Sequence, residues 1–146
     1  MLSKHLITLY QKDLSLLRDE IEKYPSEDKL WIVTEGISNS AGNLAIHIVG
    51  GLNHFIGTIL GNTGYVRQRD LEFSLKDVPR EKILDDIVQT SQMVSDVISQ
   101  ISDFEDDYPH EFLGQRPKIS SMLLHLYGHL NYHLGQVNYH RRLLTS

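Results

Sequence analysis

The sequence predicts an all-α protein built as a four-helix bundle. Apolar residues recur at three- and four-residue intervals in four segments, each of roughly 20–28 residues, which is the spacing of a buried helix face. No segment alternates convincingly between apolar and polar residues, and no Asn-Gly or Asp-Gly pair marks a hairpin turn. A chain of 146 residues has the length of one domain with a sizeable core, so we expect a single domain over residues 1–146.

The first two segments have the pattern of amphipathic helices. The first ends before Pro25, and the second begins after Ser-Asn-Ser at 38–40 and ends near Gly61. The apolar face of the first consists of Leu6, Leu9, Tyr10, Leu14, Leu17, Ile21 and Tyr24, and that of the second of Leu44, Ile48, Leu52, Phe55, Ile56 and Ile59. Between the two segments, Leu-Trp-Ile-Val at 30–33 is the one candidate for extended backbone.

The last two segments show the same periodicity. Asp77 and Pro79 mark the start of the third, because proline is favoured in the first turn of a helix, and the fourth runs from about Pro117 to Leu144. The apolar face of the third consists of Ile83, Leu84, Ile87, Val88, Val94, Val97, Ile98 and Ile101, and that of the fourth of Ile119, Met122, Leu123, Leu126, Leu130, Val137 and Leu143.

The segments are separated by long connections, at 25–40, 61–77 and 105–116. Helices that turn directly back on each other usually need only about 2–8 residues between them. The stretch 61–77 reaches about 55 Å when extended, which exceeds the ~36 Å length of a 24-residue helix. This connection is therefore long enough to cross the bundle and to make the second and third helices parallel.

The composition excludes several classes of function. The chain contains no cysteine, which rules out disulfides, thiolate metal sites and a cysteine nucleophile. A net charge of −5, without a basic stripe, argues against nucleic-acid binding. Lys12 and Asp13 interrupt the apolar N-terminal run, unlike a signal peptide, and no run approaches the roughly 18 apolar residues of a membrane span. We expect a cytoplasmic protein without nucleic-acid or membrane partners.

The fourth segment carries a row of three histidines, His125, His129 and His133, each four residues after the last. Residues four apart in a helix differ by about 40° in direction and 6 Å in height, so two such imidazoles can converge on one ion. Residues eight apart are separated by about 12 Å and cannot share it. We expect at most one adjacent pair of this row to bind a metal, with a third ligand from another helix.

His47 is the best candidate for that third ligand. It lies on the apolar face of the second segment, where an unpaired polar group would cost about 1–3 kcal/mol. It is either a core histidine bonded to a carbonyl or a tyrosine, or part of a three-histidine site with an open position, which is typical of catalytic metal centres. His54 lies about 10 Å further along the helix, too far to bind the same ion.

Two motifs resemble those of the DinB/YfiT-like superfamily of metal-dependent enzymes. They are NSAGNLAIHIVGGL at 39–52, with one histidine in the middle of a helix, and HLNYHLGQ at 129–136, which matches the pattern H-x-x-x-H-x-G-Q. The stretch YVRQRDLEF at 65–73 is similar to an arginine-rich connection in one branch of the superfamily. Together these stretches touch the second helix, the long connection and the last helix.

The resemblance implies an up-down-down-up bundle with the crossover between helices 2 and 3. It implies zinc or nickel held by His47, His129 and His133, with His125 as a neighbour one turn away. It also implies a homodimer, since members of the superfamily are often homodimers. It implies a small-molecule substrate, because characterised relatives include transferases and isomerases that use bacillithiol, mycothiol or glutathione. The absence of cysteine fits such an external thiol.

Three further residues are candidates for roles at the site. Gln136 either orients the second nitrogen of a ligand histidine or makes an interhelical contact. Arg67 and Arg69 either bind an anionic substrate or form solvated pairs with Asp70 and Glu72.

These observations support three hypotheses about function. The first is a divalent-metal-dependent enzyme, of thiol-dependent S-transferase or hydrolase type, that activates water or an external thiol. The second is a non-catalytic helical dimer, in which the histidines are core polar groups or a vestigial metal site. The third is a small-molecule binding or stress-response protein that uses the cavity of the bundle without chemistry.

Overall fold

The prediction of an all-α protein is confirmed. The computed structural model describes residues 1–145 and contains no β-strand within that range. Its α-helices, in chain order, are α1 (Leu2–Glu22), α2 (Ala41–Leu52), α3 (Arg69–Ser74), α4 (Arg80–Ser99) and α5 (Ile119–Leu144). Among these described residues, no helix combines the length and the apolar character that crossing a membrane requires.

Two shorter helical segments flank α2. A 3-10 helix spans Glu27–Trp31, and a π-helix over Asn53–Thr58 continues α2. The expectation of extended backbone at 30–33 is therefore wrong at its first two positions. Leu30 is buried, and the Trp31 ring lies so close to Gly42 that a β-carbon there would be 2.7 Å from it. These residues pack against α2 instead of pairing with a strand.

The buried apolar side chains form one continuous cluster to which α1, α2, α4 and α5 all contribute. Helix α1 packs against α4 and α5, and α2 also packs against both of them. Val88 and Leu143, which the periodicity placed on apolar faces, are exposed. Consecutive helical residues point about 100° apart, so Val88 cannot share the inward direction of its buried neighbour Ile87.

The connection 61–77 contains the short helix α3, which the periodicity did not predict. Asn43, at the start of α2, attaches the end of α3 to α2. Its Nδ2 donates to the carbonyls of Glu72 and Leu75, at 3.0 and 2.8 Å, and its Oδ1 accepts from Lys76 at 2.8 Å. This attachment brings the one buried side chain of α3, that of Glu72, against the middle of α2.

The connection between α4 and α5 folds over the end of α2. Tyr108 is fully buried, and its hydroxyl donates to the carbonyl of Phe55 at 2.6 Å. Its backbone N–H donates to the carbonyl of Pro117 at 2.8 Å. These two bonds hold the loop beside the π-helical segment, and the rings of Phe112 and Phe55 pack edge to face with centroids 5.7 Å apart.

Candidate metal centre

Three histidine side chains meet between α2 and α5. His47 comes from the middle of α2, and His129 and His133 come from successive turns of α5. The Nε2 atom of His129 lies 3.3 Å from Nε2 of His47 and 3.0 Å from Nε2 of His133. We call these three residues the histidine cluster.

The spacing of the cluster matches that of ligands around one ion. Two nitrogens at about 2.05 Å from a tetrahedral zinc lie about 3.3 Å from each other. The two short Nε2–Nε2 distances in the cluster are 3.3 and 3.0 Å, and one ligand atom from each of the three histidines lies within 4.8 Å of the others. Only small movements of the rings would be needed to place a divalent cation between them.

The outer nitrogens of two cluster histidines are held by acceptors. Nδ1 of His47 donates to Oε1 of Glu72 at 2.9 Å, and Nδ1 of His133 donates to Oε1 of Gln136 at 2.7 Å. A neutral imidazole with its proton on Nδ1 carries its lone pair on Nε2. Both lone pairs are therefore directed at the centre of the cluster, which is the tautomer that a metal ligand needs.

Glu72 is the functional residue that sequence reasoning did not single out. Its side chain is 4% exposed and receives two bonds from Arg67, Nε to Oε2 at 2.9 Å and Nη2 to Oε1 at 3.0 Å. The pairing of Arg67 with an acidic neighbour was one of the two alternatives, but the pair is not a solvated one, because Glu72 is buried and the Arg67 side chain is only 13% exposed.

Gly50 makes the approach of Glu72 possible. A β-carbon at position 50 would lie 1.9 Å from Oε2 of Glu72. The carboxylate cannot move aside at little cost, because His47 and Arg67 hold both of its oxygens. Glycine at this position is therefore a requirement of the carboxylate–histidine contact.

The electrostatics of the cluster favour neutral imidazoles. Burial, followed by the proximity of His133 and His47, lowers the pKa of His129 to about 4. Burial also lowers the pKa of His47, against the opposing effect of its hydrogen bond to Glu72. Metals bind the neutral ring, so at neutral pH no proton has to leave either residue before a cation enters.

The remaining candidate histidines lie outside the cluster. His125 is exposed, and its ring packs against that of Phe112 with centroids 5.0 Å apart. His54 packs against the ring of Phe55 at 4.8 Å. The pair on α5 that meets His47 is thus 129 and 133, while 125 lies one turn away.

A cavity of about 270 Å3 opens beside the cluster. Its walls include His47 and His129, the rings of Phe55 and Phe112, and both candidate arginines, Arg67 and Arg69. A larger cavity of about 720 Å3 lies against the end of α4 and contains no histidine among its lining residues. The smaller cavity is therefore the one through which a ligand could reach the cluster.

No protein-family model matches the chain, and no curated protein matches it. Three convergent imidazoles with one side open to a cavity can hold a divalent cation and leave a coordination position for water or a substrate.

Proposed function

We propose that this protein is a divalent-metal-dependent enzyme of the DinB/YfiT-like type, with His47, His129 and His133 as the ligands of zinc or nickel. The observation that carries the proposal is the convergence of three Nε2 atoms, two of them with Nδ1 bonded to an acceptor. An all-histidine donor set suits either metal, because imidazole nitrogen binds both.

A bound zinc or nickel ion would polarise an oxygen or lower the pKa of a bound water or thiol. The residues of the chain would prepare the site for this chemistry. Glu72 holds the ring of His47 in the required tautomer, Gln136 does the same for His133, and Arg67 balances the buried charge of Glu72. Because the chain has no cysteine, a thiol nucleophile would have to be an external molecule.

The substrates would then be small molecules, and the reaction a thiol-dependent S-transfer or a hydrolysis. A cytoplasmic location, which the sequence favours, would give the enzyme access to low-molecular-weight thiols. The cavity of about 270 Å3 is near the lower end of the sizes typical of ligand pockets, which supports a small substrate.

The finer architecture belongs to the same proposal. We infer an up-down-down-up four-helix bundle in one domain, with 61–77 as the crossover. We also propose a homodimer that uses the outer face of α5. Two features support the choice of this face. It carries exposed apolar and aromatic side chains, and it carries two glycines with open space beside them. The residues are Leu124, Gly128, Tyr132, Gly135, Tyr139 and Leu143.

A non-catalytic helical protein is the second candidate, and one observation favours it. The two Nε2–Nε2 distances, 3.3 and 3.0 Å, also fit a shared hydrogen bond in which the single Nε2–H of His129 is directed at Nε2 of both His47 and His133. The cluster could then hold α2 and α5 together without a metal. Chelator-treated protein would in that case keep its melting temperature and contain no metal by elemental analysis.

Metal content separates the two candidates. Purified protein incubated with zinc or nickel and desalted should retain about one ion per chain, and His129→Ala should retain none, because two nitrogens alone hold these ions weakly. His125→Ala removes a histidine one turn away on the same helix and should keep the full metal content. Stoichiometric metal in His129→Ala would refute the ligand assignment.

The reaction type needs a separate measurement. Metal-loaded wild-type protein should consume an electrophile in the presence of a low-molecular-weight thiol, and His129→Ala should not. If the loaded protein binds one ion per chain but neither thiols nor electrophiles react in its presence, the site is a binding site and not a catalytic one.

A further inference from the structure

The charged side chains that line the cavity beside the cluster are those of two arginines. None of its lining residues is acidic, whereas the larger cavity near the end of α4 is lined by four aspartates. Arg67 and Arg69 both lie in its wall, and a cation on three neutral histidines would add two further charges. Such a cavity attracts anions.

The two arginines are not equivalent. Arg67 is compensated by its two bonds to Glu72. Arg69 is exposed and forms no ion pair or side-chain hydrogen bond within residues 1–145, so its donors remain available. Its guanidinium lies over the ring of Phe73 at 5.4 Å, and Phe73 in turn packs against His47 with ring centroids 4.8 Å apart. These contacts place the free charge of Arg69 near the cluster.

Part of the cavity wall is aromatic, and one of its rings, that of Phe112, is positioned by a tight turn. Phe112 and Gln115 exchange two backbone hydrogen bonds, of 2.7 and 3.0 Å, around Leu113 and Gly114. Leu113 has a φ of 51°, which non-glycine residues rarely adopt, and its side chain is 82% exposed. This turn sets the ring of Phe112 against those of Phe55 and His125.

We infer that the cavity binds a small organic anion with an aromatic or apolar body, whose anionic group is held by Arg69 and whose body contacts Phe55 and Phe112. The ligand class follows from the combination of one uncompensated guanidinium with two aromatic walls. The inference deepens the proposed function, since it names the substrate class that would reach the metal past His47 and His129.

The test compares an anion with a neutral molecule of nearly the same shape. Binding of 3-phenylpropanoate and 3-phenylpropanamide to the full chain is measured by calorimetry, with and without zinc. We expect the anion to bind about tenfold more tightly than the amide, the ratio typical of one charge-assisted hydrogen bond. Phenyl phosphate in place of the carboxylate shows whether the anionic group is read as a carboxylate or more generally as an oxyanion.

Two pairs of variants, each a test variant with a matched control, show which side chains contact the anionic group and the body of the ligand. Arg69→Gln should remove most of the preference for the anion. Arg142→Gln is the matched control, because that exposed guanidinium also lies over a ring, Tyr139, at 5.4 Å but on the far end of α5. Phe112→Ala should weaken the anion and the amide equally, while Leu113→Ala, on the exposed tip of the same turn, should weaken neither.

The outcomes distinguish this inference from the proposed function. Equal binding of anions and amide by zinc-loaded protein, or an anion preference that Arg69→Gln leaves intact, overturns the inference while the metal site stands. Anion binding that depends on Arg69 in a protein that retains no zinc supports the inference and overturns the proposed metal centre.

Discussion

Two buried histidines, His47 and His140, show how similar residues acquire different roles. They are 6% and 7% exposed, and each lies on a helix. For His140, the protein supplies both partners: the hydroxyl of Tyr24 donates to Nδ1 at 2.6 Å, and Nε2 donates to the carbonyl of Ile32 at 2.8 Å. For His47, only Nδ1 has such a partner, Glu72.

The difference lies in what faces Nε2. In His47, this nitrogen faces the two α5 histidines of the cluster, which offer further lone pairs. A buried ring with two protein partners ties elements together, whereas one with a single partner leaves a nitrogen for a ligand. His140 therefore joins α5 to the chain near Tyr24, and His47 is available for a metal.

The largest effect is expected when each of the two buried histidines is replaced by asparagine. His47→Asn should reduce zinc content from about one ion per chain to none, because one of three ligands is lost. His140→Asn should keep the full zinc content and lower the free energy of unfolding by about 2 kcal/mol, since it disturbs two buried hydrogen bonds. Elemental analysis and chemical denaturation measure the two effects. Loss of zinc in both variants would erase the distinction between the two histidines.

The next largest effect is expected from replacing the buried carboxylate that accepts a hydrogen bond from His47. Glu72→Gln should weaken zinc binding by about 10- to 100-fold, as is typical when the carboxylate partner of a ligand histidine is lost. Glu20→Gln is the matched control. Glu20 is also buried and bound to an arginine, with 2.6 Å from Arg141 Nε to its Oε2, but it bonds no cluster residue. Competition titration with a zinc indicator gives both affinities, and equal losses would show that Glu72 acts through general stability alone.

A smaller effect is expected from Gly50→Ala. The added methyl would displace the carboxylate of Glu72, whose oxygen lies 1.9 Å from the position of the β-carbon, and zinc affinity should fall about tenfold as His47 loses its fixed orientation. Gly128→Ala, on an open face of α5, has no atom within 4 Å of the new methyl and should leave the affinity unchanged. An unchanged affinity in Gly50→Ala as well would mean that the Glu72–His47 contact does not support metal binding.

The smallest effect is a pH dependence of the metal-free protein. The pKa of His129 in the fold, about 4, lies below its ordinary value of 6.5, so unfolding allows this ring to take up a proton. Its contribution to stability should be complete above about pH 6.5 and lost as the pH falls towards 4. Because the ring is partly exposed, we expect a loss of about 1 kcal/mol between these limits.

Urea denaturation of chelator-treated protein at a series of pH values measures this loss. His129→Gln should show a flatter profile in this range, and His5→Gln, at an exposed position near the start of α1, should follow the wild type. Identical profiles for all three proteins would assign the pH dependence to other groups.

Periodicity predicted the helices well where a helix buries one face and less well elsewhere. The stripe of α1 illustrates the success: Leu6, Tyr10, Leu14 and Leu17 are all at most 1% exposed. Helix α3 was missed because its six residues are too few to show a period and its only buried side chain is charged. Its position depends on the hydrogen bonds that Asn43 donates to the carbonyls of Glu72 and Leu75, which lie 29 and 32 residues further along the chain.

The candidate site was predicted only in part, because helix periodicity reports local features of the chain and not contacts between distant segments. The spacing of the row on α5 indicated that one adjacent pair could share an ion, and the apolar surroundings of His47 indicated that it faces inward. Neither feature could identify Glu72 as its partner or show that Arg67 is bonded to that carboxylate. Those contacts depend on how a loop folds back on α2.

By itself, the sequence determined the helical class, the inward direction of His47 and the rule that two neighbours on α5 can share one ion, because helix periodicity is a local property of the chain. The motif resemblance pointed to His129 and His133, but helix spacing left either adjacent pair possible, and only the tertiary structure shows that His129 and His133, and not His125, meet His47, with a separation of 82 residues between positions 47 and 129. It also decided that Glu72 completes the arrangement from 25 residues away. The physical reason is that convergence of side chains depends on the packing of α2, α3 and α5, which no single segment encodes.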